Sequence, residues 1–421
     1  MKRTARPLSF MLLSWLMLGS APALAQLAEA VVVSFSKPGL VADQLGVIVN
    51  DDDPDSVAIT AYYKEKRDIP DANIIHVRFA PNRATLPSAE FAKIKRRVDR
   101  AAGKKIQAYA LTWAQPYRVD CMSITAAFAF GFNPAYCASG CQPIKPSPYF
   151  NSSTSLPYDT YKIRPSMSLA ASTVDQAKKL IDRGVASDNK NPEGTAYLVS
   201  TSDAQRNVRA AGYAQAQTLL NKVLPSEIVK ANQIENKRDV MFYFTGLTHV
   251  PKIENNTYLP GAMADHLTST GGVLFDGDQM SILKWIEAGA TGSYGAVVEP
   301  CNFPQKFPVP MLAMAHYLQG ETLIEAYWKS VQMPGQGLFI GEPLARPYGG
   351  YTSTYHDQEL RIQTAAIEPG VYAMQTAPSM MGPYRNIARL QIGWGSKEIK
   401  LSPIPPGYYR FERKTGGRAE P

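Results

Sequence analysis

What the chain lacks narrows its function first. After residue 25 no apolar stretch reaches the roughly 20 residues that a bilayer-spanning helix requires, so no transmembrane anchor is expected once the leader is gone. The H-E-x-x-H pair of zinc hydrolases, the G-x-S-x-G nucleophile elbow and the G-x-G-x-x-G dinucleotide fingerprint are all missing. Lys and Arg are dispersed rather than blocked and base-stacking motifs are absent, which excludes nucleic acid as an expected partner. The densest basic run, Lys93-Ile94-Lys95-Arg96-Arg97, reads as one solvated helix face. Cysteine is scarce: Cys121, Cys137, Cys141 and Cys301 are all there are in 421 residues.

What is present begins with a leader. Lys2, Arg3 and Arg6 precede an apolar run from Leu8 to Leu18, and small residues end in Ala23-Leu24-Ala25. This is the pattern of a secretory signal peptide cut after Ala25, and it implies a periplasmic or extracellular destination. Its removal takes three positive charges and no negative ones, lowering the formal net charge from +8 to +5. The remaining chain, about 395 residues, exceeds what one core usually organises, so two domains are expected. In an oxidising compartment four cysteines suggest two disulfides with three possible connectivities. A zinc site of four thiolates is the rival use, although the C-x2-C pairs that mark such sites are missing.

Periodicity places an α/β unit over residues 26–348. Leu45 to Asn50 is a short apolar strand, and Asp51-Asp52-Asp53 then leads into a helix with Pro54 in its first turn. Those acidic residues read as a helix start, with metal binding the sharper alternative. Asn73 to Phe79 supplies the next strand, so Leu45 to Phe79 is a βαβ unit with parallel strands. A helix from Ser88, a strand over Ile106 to Trp113, a helix near Thr173, strands at Ala196 to Ser200 and Val240 to Thr245, and a helix at Val208 to Val223 continue the alternation. Together these predict a three-layer domain with a mainly parallel sheet. A segment rich in Gly, Pro and Cys, residues 118–160, interrupts it as a long insertion or lid pinned by disulfides. Residues 349–421 change texture to short Val, Ile, Tyr and Leu runs separated by PG, GP and PP turns, an all-β module.

The stretch from Tyr258 to Tyr348 has the texture of the second half of an α/β hydrolase-type domain. Its segments LPGAMADHLTSTGG, GATGSYGAVVEPC, GETLIEAYWKSVQMP and GEPLARPY, with NDDDPDSVAITAYYKEKRDIP upstream, resemble an uncharacterised secreted family of bacteria that also possess exosortase-type protein sorting. That resemblance implies an envelope setting, with an envelope or secreted protein or peptide as partner. More distantly, the chain resembles caspase-like peptidases of the gingipain and separase type. In that group a His follows one strand and a Cys the next, and a late Gly-Asp-Pro closes the unit. Here His249 follows the Val240 to Thr245 strand, Gly261 to Ala264 reads as the next strand, Ala288 to Val298 as another, and Gly341-Glu342-Pro343 stands at the late position. Where the group places its cysteine this chain has Asp265-His266-Leu267-Thr268-Ser269.

The resemblance therefore implies a degenerate or non-peptidase member with a binding role, centred on His249, Asp265, His266 and Glu299. An active hydrolase with a different nucleophile at the same pocket is the alternative. Cys301 is the only cysteine in this half and could offer a thiol. Asp265, His266 and Glu299, joined by His249, could hold a divalent metal that activates water; no other cofactor is expected. Ser269 or Thr268 could act as a hydroxyl nucleophile beside a histidine. His76, His316 and Tyr317 read as packing or surface residues, His356 as a lone histidine on a polar loop, and Asp265 and His266 have the plainer reading of a turn cap and a structural hydrogen-bonding group.

Overall fold

A computed structural model describes residues 31–35, 39–138 and 140–414. The leader and its cleavage position lie outside these residues. Ten strands form one sheet in the spatial order Ser226–Lys230, Thr195–Ser200, Val240–Gly246, Tyr258–Leu267, Gly292–Ala296, Gly337–Gly341, Ser166–Ser168, Ala108–Leu111, Leu45–Asn50 and Ile74–Val77. Neighbours run parallel except Gly292–Ala296 with Gly337–Gly341. LGVIVN and VMFYFTG are buried at every residue, as expected for a parallel sheet covered on both faces.

Alternate residues of the same strand feed two separate cores, because successive side chains point to opposite faces. Leu45, Val47 and Ala110 meet Ile59, Tyr63, Tyr213, Met314 and Tyr327 on one side. Ile48, Tyr109 and Leu111 meet Phe91, Val98, Ile124, Phe128 and Ile286 on the other. The architecture is thus an α/β sheet between two helical layers. The first helix, Pro54–Arg67, starts where Asp53 turns its carboxylate back onto the Asp55 N–H at 3.0 Å, with Pro in its first turn. Asp51 pairs with His76 at 2.7 Å and Asp52 with Arg78 at 2.6 Å, so each of these acids has a cationic or imidazole neighbour.

Strand order reverses twice. From Leu45–Asn50 the chain goes outward to Ile74–Val77 and then to Ala108–Leu111 on the other side; Thr195–Ser200 repeats this with Ser226–Lys230 and Val240–Gly246. Crevices at such reversals, outside the carboxyl ends of strands, are where open α/β sheets hold ligands.

The two halves of the sheet meet where Ile340 pairs with Ser168. A buried charge cluster secures this seam. Glu342, fully buried, accepts from Tyr63 Oη at 2.6 Å and Arg67 Nε at 3.2 Å, and Arg67 also forms ion pairs with Glu342 and Asp188. The first helix of one half is thereby tied to the last strand of the other.

The 118–160 segment differs from a lid. Arg118–Val119 and Met122–Ser123 pair as a small hairpin beside Thr85–Leu86, and Ser123 caps a helix, Ile124–Phe130, by accepting from the Ala126 N–H at 3.0 Å. Ala126, Ala127 and Phe128 are fully buried, so the insertion supplies core. Its cysteines form Cys121–Cys137 and Cys141–Cys301. This pairing corrects two readings: no thiolates remain for a four-cysteine zinc site, and Cys301 is not a free thiol. The expected strand from Ala288 is also shorter, because Gly289 at φ +117° ends the Leu283–Ala288 helix and pairing starts only at Gly292.

Two further sheets enclose a separate core of Phe35, Leu360, Ile362, Tyr372 and Phe411. One holds Tyr351–His356, Glu359–Thr364 and Glu398–Leu401; the other holds Val31–Phe35, Gly407–Arg413, Gly370–Ala377 and Arg385–Ile392. Val31–Phe35 pairs in parallel with Gly407–Arg413, so this early segment is a strand of the β unit. The unit docks through Trp394 Nε1 to Leu219 O at 3.1 Å and Lys397 Nζ to Val223 O at 2.7 Å. No helix among the described residues is long and apolar enough to cross a membrane.

Because Glu342→Gln removes one of the two carboxylates that compensate the buried Arg67 and leaves only Asp188, it should lower unfolding free energy by about 2 kcal/mol in urea denaturation. Lys64→Ala, which removes only an exposed pair to Asp71, should change it by less than about 1 kcal/mol.

Candidate functional site

The second strand-order reversal opens into a cleft of about 450 Å³ whose walls include Gln205, Arg206, Thr268, Ser269, Glu299 and Cys301. Gln205 and Arg206 come from the turn after Thr195–Ser200, Thr268 and Ser269 from the end of Tyr258–Leu267, and Glu299 and Cys301 from the loop after Gly292–Ala296. Three strands of the same half of the sheet, the first separated from the other two by Val240–Gly246, therefore deliver their carboxyl ends to one place.

The Arg206 wall is built by local hydrogen bonding. Asp203 accepts from the Gln205 and Arg206 N–H groups at 3.2 and 3.1 Å, and its other oxygen pairs with Arg206 Nη1 at 3.0 Å. Arg206 Nε then donates to Thr268 Oγ1 at 3.2 Å. The Thr268 hydroxyl donates to Gln279 Oε1 at 2.6 Å, and the same oxygen accepts from the Thr270 N–H at 3.0 Å. This turn presses on Gly246, where a Cβ would lie 1.8 Å from Arg206 O, so only glycine fits. On the opposite wall Glu299, exposed, accepts from the Cys301 N–H at 2.6 Å and so shapes the loop that carries the Cys141–Cys301 disulfide.

Beneath the cleft lies an ion pair. Arg209 Nη1 meets Asp265 Oδ1 at 2.7 Å with side chains only 3% and 1% exposed. Arg209 also donates to Pro308 O at 3.3 Å and to Thr245 O. Asp265 Oδ2 has no hydrogen-bond partner among the described residues. Burial pushes the Asp265 carboxyl up to about 6, further than Arg209 pulls it down.

His266, the next residue, leaves the opposite face of the sheet. Trp285 Nε1 donates to its Nδ1 at 2.9 Å, and its Nε2 lies 3.0 Å from Met280 O. Indole nitrogen can only donate, so His266 is the neutral Nε2–H tautomer with both ring nitrogens occupied. Burial lowers its pKa to about 3, opposed by the Met280 hydrogen bond and assisted by smaller repulsions from Arg209 and His249.

The four residues singled out from sequence are therefore not brought together as one set. Asp265 and His266 occupy different cores, Glu299 stands on the cleft rim, and no group of three or more His, Cys, Asp or Glu among the described residues is placed to hold a metal ion. His249 is exposed on the loop after Val240–Gly246. Since Gly246 pairs with Leu267, that loop leaves the sheet beside Thr268 and Ser269. Ser269 is half-buried on the cleft wall, and its hydroxyl has no hydrogen-bond partner among the described residues. His316 packs between Asn151 and Glu321, at 3.2 Å from each, and His356 lies exposed on its polar turn.

Sequence inspection passed over Gln205, Arg206, Arg209 and Gln279. The available signal was topological: a turn that follows the strand at which order reverses belongs to the crevice.

No family model matches the chain, and no curated protein matches it. A solved structure titled "Structure of Protease" aligns over 90% of this chain and 98% of its own, with 10% identity and a TM-score of 0.38. Likeness of that degree leaves function to the site itself.

Two pH responses follow, of opposite sign. With its pKa raised from 3.8 to about 6 in the fold, Asp265 releases its proton more readily when unfolded. Its contribution is therefore full below pH 4 and is lost as pH rises through 6. Wild-type stability minus that of Asp265→Asn should fall by roughly 3 kcal/mol over that window in denaturant titrations. His266, with its pKa depressed from 6.5 to about 3, costs stability as pH falls below 6.5. Its ¹⁵N shifts should report an unchanged Nε2–H tautomer down to pH 4.

Proposed function

We propose that this is a secreted protein of the cell envelope whose α/β unit is a caspase-like domain that binds rather than cuts, with an extended peptide segment as the ligand of the Arg206–Ser269–Glu299 cleft. One observation carries the reading: the cleft's cysteine is spent in the Cys141–Cys301 disulfide and Thr268 has committed its proton to Gln279. Nucleophilic catalysis needs a thiol or hydroxyl within reach of a base, and neither group is free for that. The rims suit an extended chain, since Arg206 and Glu299 place opposite charges on facing walls and Gln205 and Ser269 add polar groups between them. Two disulfides and the leader-like start support an oxidising, extracytoplasmic setting.

Ser269 supports a second reading. Its unpartnered hydroxyl stands beside the His249 loop, the arrangement a serine hydrolase would need once substrate draws the two together.

A short-peptide array followed by mass spectrometry separates the two. The wild type should retain a subset of peptides uncut, and Arg206→Ala should weaken that retention roughly tenfold, equivalent to about 1.4 kcal/mol. Cleavage that disappears in both Ser269→Ala and His249→Ala would establish the hydrolase instead, and no retained peptide would reject the binding role.

A further inference from the structure

The end of the β unit that points away from the α/β sheet has a surface chemistry of its own. The unit docks just past the carboxyl end of Arg385–Ile392, where Trp394 and Lys397 reach Leu219 O and Val223 O. Gly370–Ala377 and Arg385–Ile392 form an antiparallel hairpin of eight-residue strands, so its turn, residues 378–384, stands roughly 25 Å beyond that contact. Val31–Phe35 and Gly407–Arg413 begin at the same far end, since Ala377 pairs with Tyr408 and Val31 with Gly407.

Apolar side chains collect on this sheet. Met380 is 65% and Met381 93% exposed at the turn. Of the seven large hydrophobic side chains exposed among the described residues, four belong to the sheet or its turn: these two, Val32 and Ile387. Ser379 Oγ donates to Gly382 O at 3.0 Å and Tyr384 Oη to Met380 O at 3.2 Å, so the methionines are displayed by a turn with its own hydrogen bonds.

Charge in the β unit is sorted in the same direction. Arg361 and Lys400 pair with Glu359, Arg413 with Glu368, Lys414 with Glu412, and His356 with Asp357. Arg385 and Arg389, both exposed, have no ion pair or hydrogen bond among the described residues. Arg410 has no carboxylate partner among them; its Nε donates to Gln375 Oε1 at 2.7 Å and its guanidinium lies 4.3 Å from the centre of the Tyr384 ring. The cations without a carboxylate are thus gathered beside the methionine turn and along the strand that leaves it.

From these we infer that the far end of the β unit is a docking surface for an anionic lipid bilayer. Met380 and Met381 enter the interfacial layer, Arg385 and Arg410 beside the turn meet lipid phosphates, and Arg389 adds attraction from further along the strand. Buried apolar area and attraction to anionic lipids add in binding of this kind. An acidic strand added to the open edge of Arg385–Ile392 is the other macromolecular fit. It would leave both methionines in water beyond the added strand, whereas a bilayer covers them. The sequence ahead of Val31, with its apolar run from Leu8 to Leu18, also joins the sheet at this end. The inference does not depend on the peptide cleft, so either can fail without the other.

The test is co-sedimentation of the full mature chain with vesicles of phosphatidylglycerol and phosphatidylcholine in equal parts, with pure phosphatidylcholine as the uncharged arm. Binding to the mixed vesicles is expected, weakened by salt and roughly tenfold weaker on the pure ones. Met380→Ser combined with Met381→Ser should weaken it roughly tenfold, and Arg385→Gln combined with Arg389→Gln by a similar factor, all at exposed positions. Val57→Ser, an exposed apolar site on the first helix, should leave it unchanged. No binding to the mixed vesicles, equal binding to both kinds, or binding unchanged in either double variant would overturn the inference, as would an equal loss in Val57→Ser. Retention of hexaglutamate without retention on vesicles would also overturn it, and would assign the edge to strand addition.

Discussion

The edge of the sheet that carries the cleft is organised around the buried pair of Arg209 and Asp265. Taking two charges out of water is costly, and a pair so placed is retained only where its geometry and extra hydrogen bonds compensate. Here Arg209 also donates from its two Nη groups to the carbonyls of Thr245 and Pro308, which draws the turn after Thr195–Ser200, the end of Val240–Gly246 and the approach to the Pro310–Leu318 helix onto the end of Tyr258–Leu267, while its buried Nε has no partner among the described residues. Arg206, three residues earlier, is thereby set against Thr268, and the cleft wall exists. Asp265 bears the residual cost, with one oxygen unpartnered and its carboxyl pushed up to about 6.

The pleat decides the rest. In Asp265-His266 two chemically suggestive residues adjoin in sequence, and adjacency in a strand means opposite faces. One side chain becomes the anchor of the helical layer that holds Arg209; the other is locked between Trp285 and Met280 in the second layer. A metal or an acid–base pair would need them on one side. Cys301 follows similar logic: its loop lies at the strand ends, where a thiol could act, yet the 118–160 segment reaches it with Cys141 and turns that position into a covalent brace.

Much of the fold could be read from residues whose local signals agree with their tertiary roles. Asp53 and Pro54 mark a helix start, and LGVIVN and VMFYFTG mark strands buried on both faces. The signals fail where neither period nor length separates the options. SMS at 166–168 is too short and polar to announce a central strand, and ITAAFAF at 124–130 is buried at nearly every residue, so it has no amphipathic stripe. GLFIG at 337–341 reads as apolar but not as antiparallel, and Val31–Phe35 finds its partner more than 370 residues later in Gly407–Arg413. Within the cleft, Thr268, Ser269, Glu299 and Cys301 were visible as residue types near strand ends. Arg206 and Gln205 were not, because their role depends on strand order, which periodicity does not encode.

The central claim is that the cleft recognises without hydrolysing, and it turns on whether Ser269 can be activated. The direct measurement is intact-mass analysis of the mature protein after incubation with a fluorophosphonate, which reports a nucleophilic serine as a covalent adduct. The account predicts no adduct on the wild type. An adduct that maps to Ser269 and is lost in His249→Ala would contradict it.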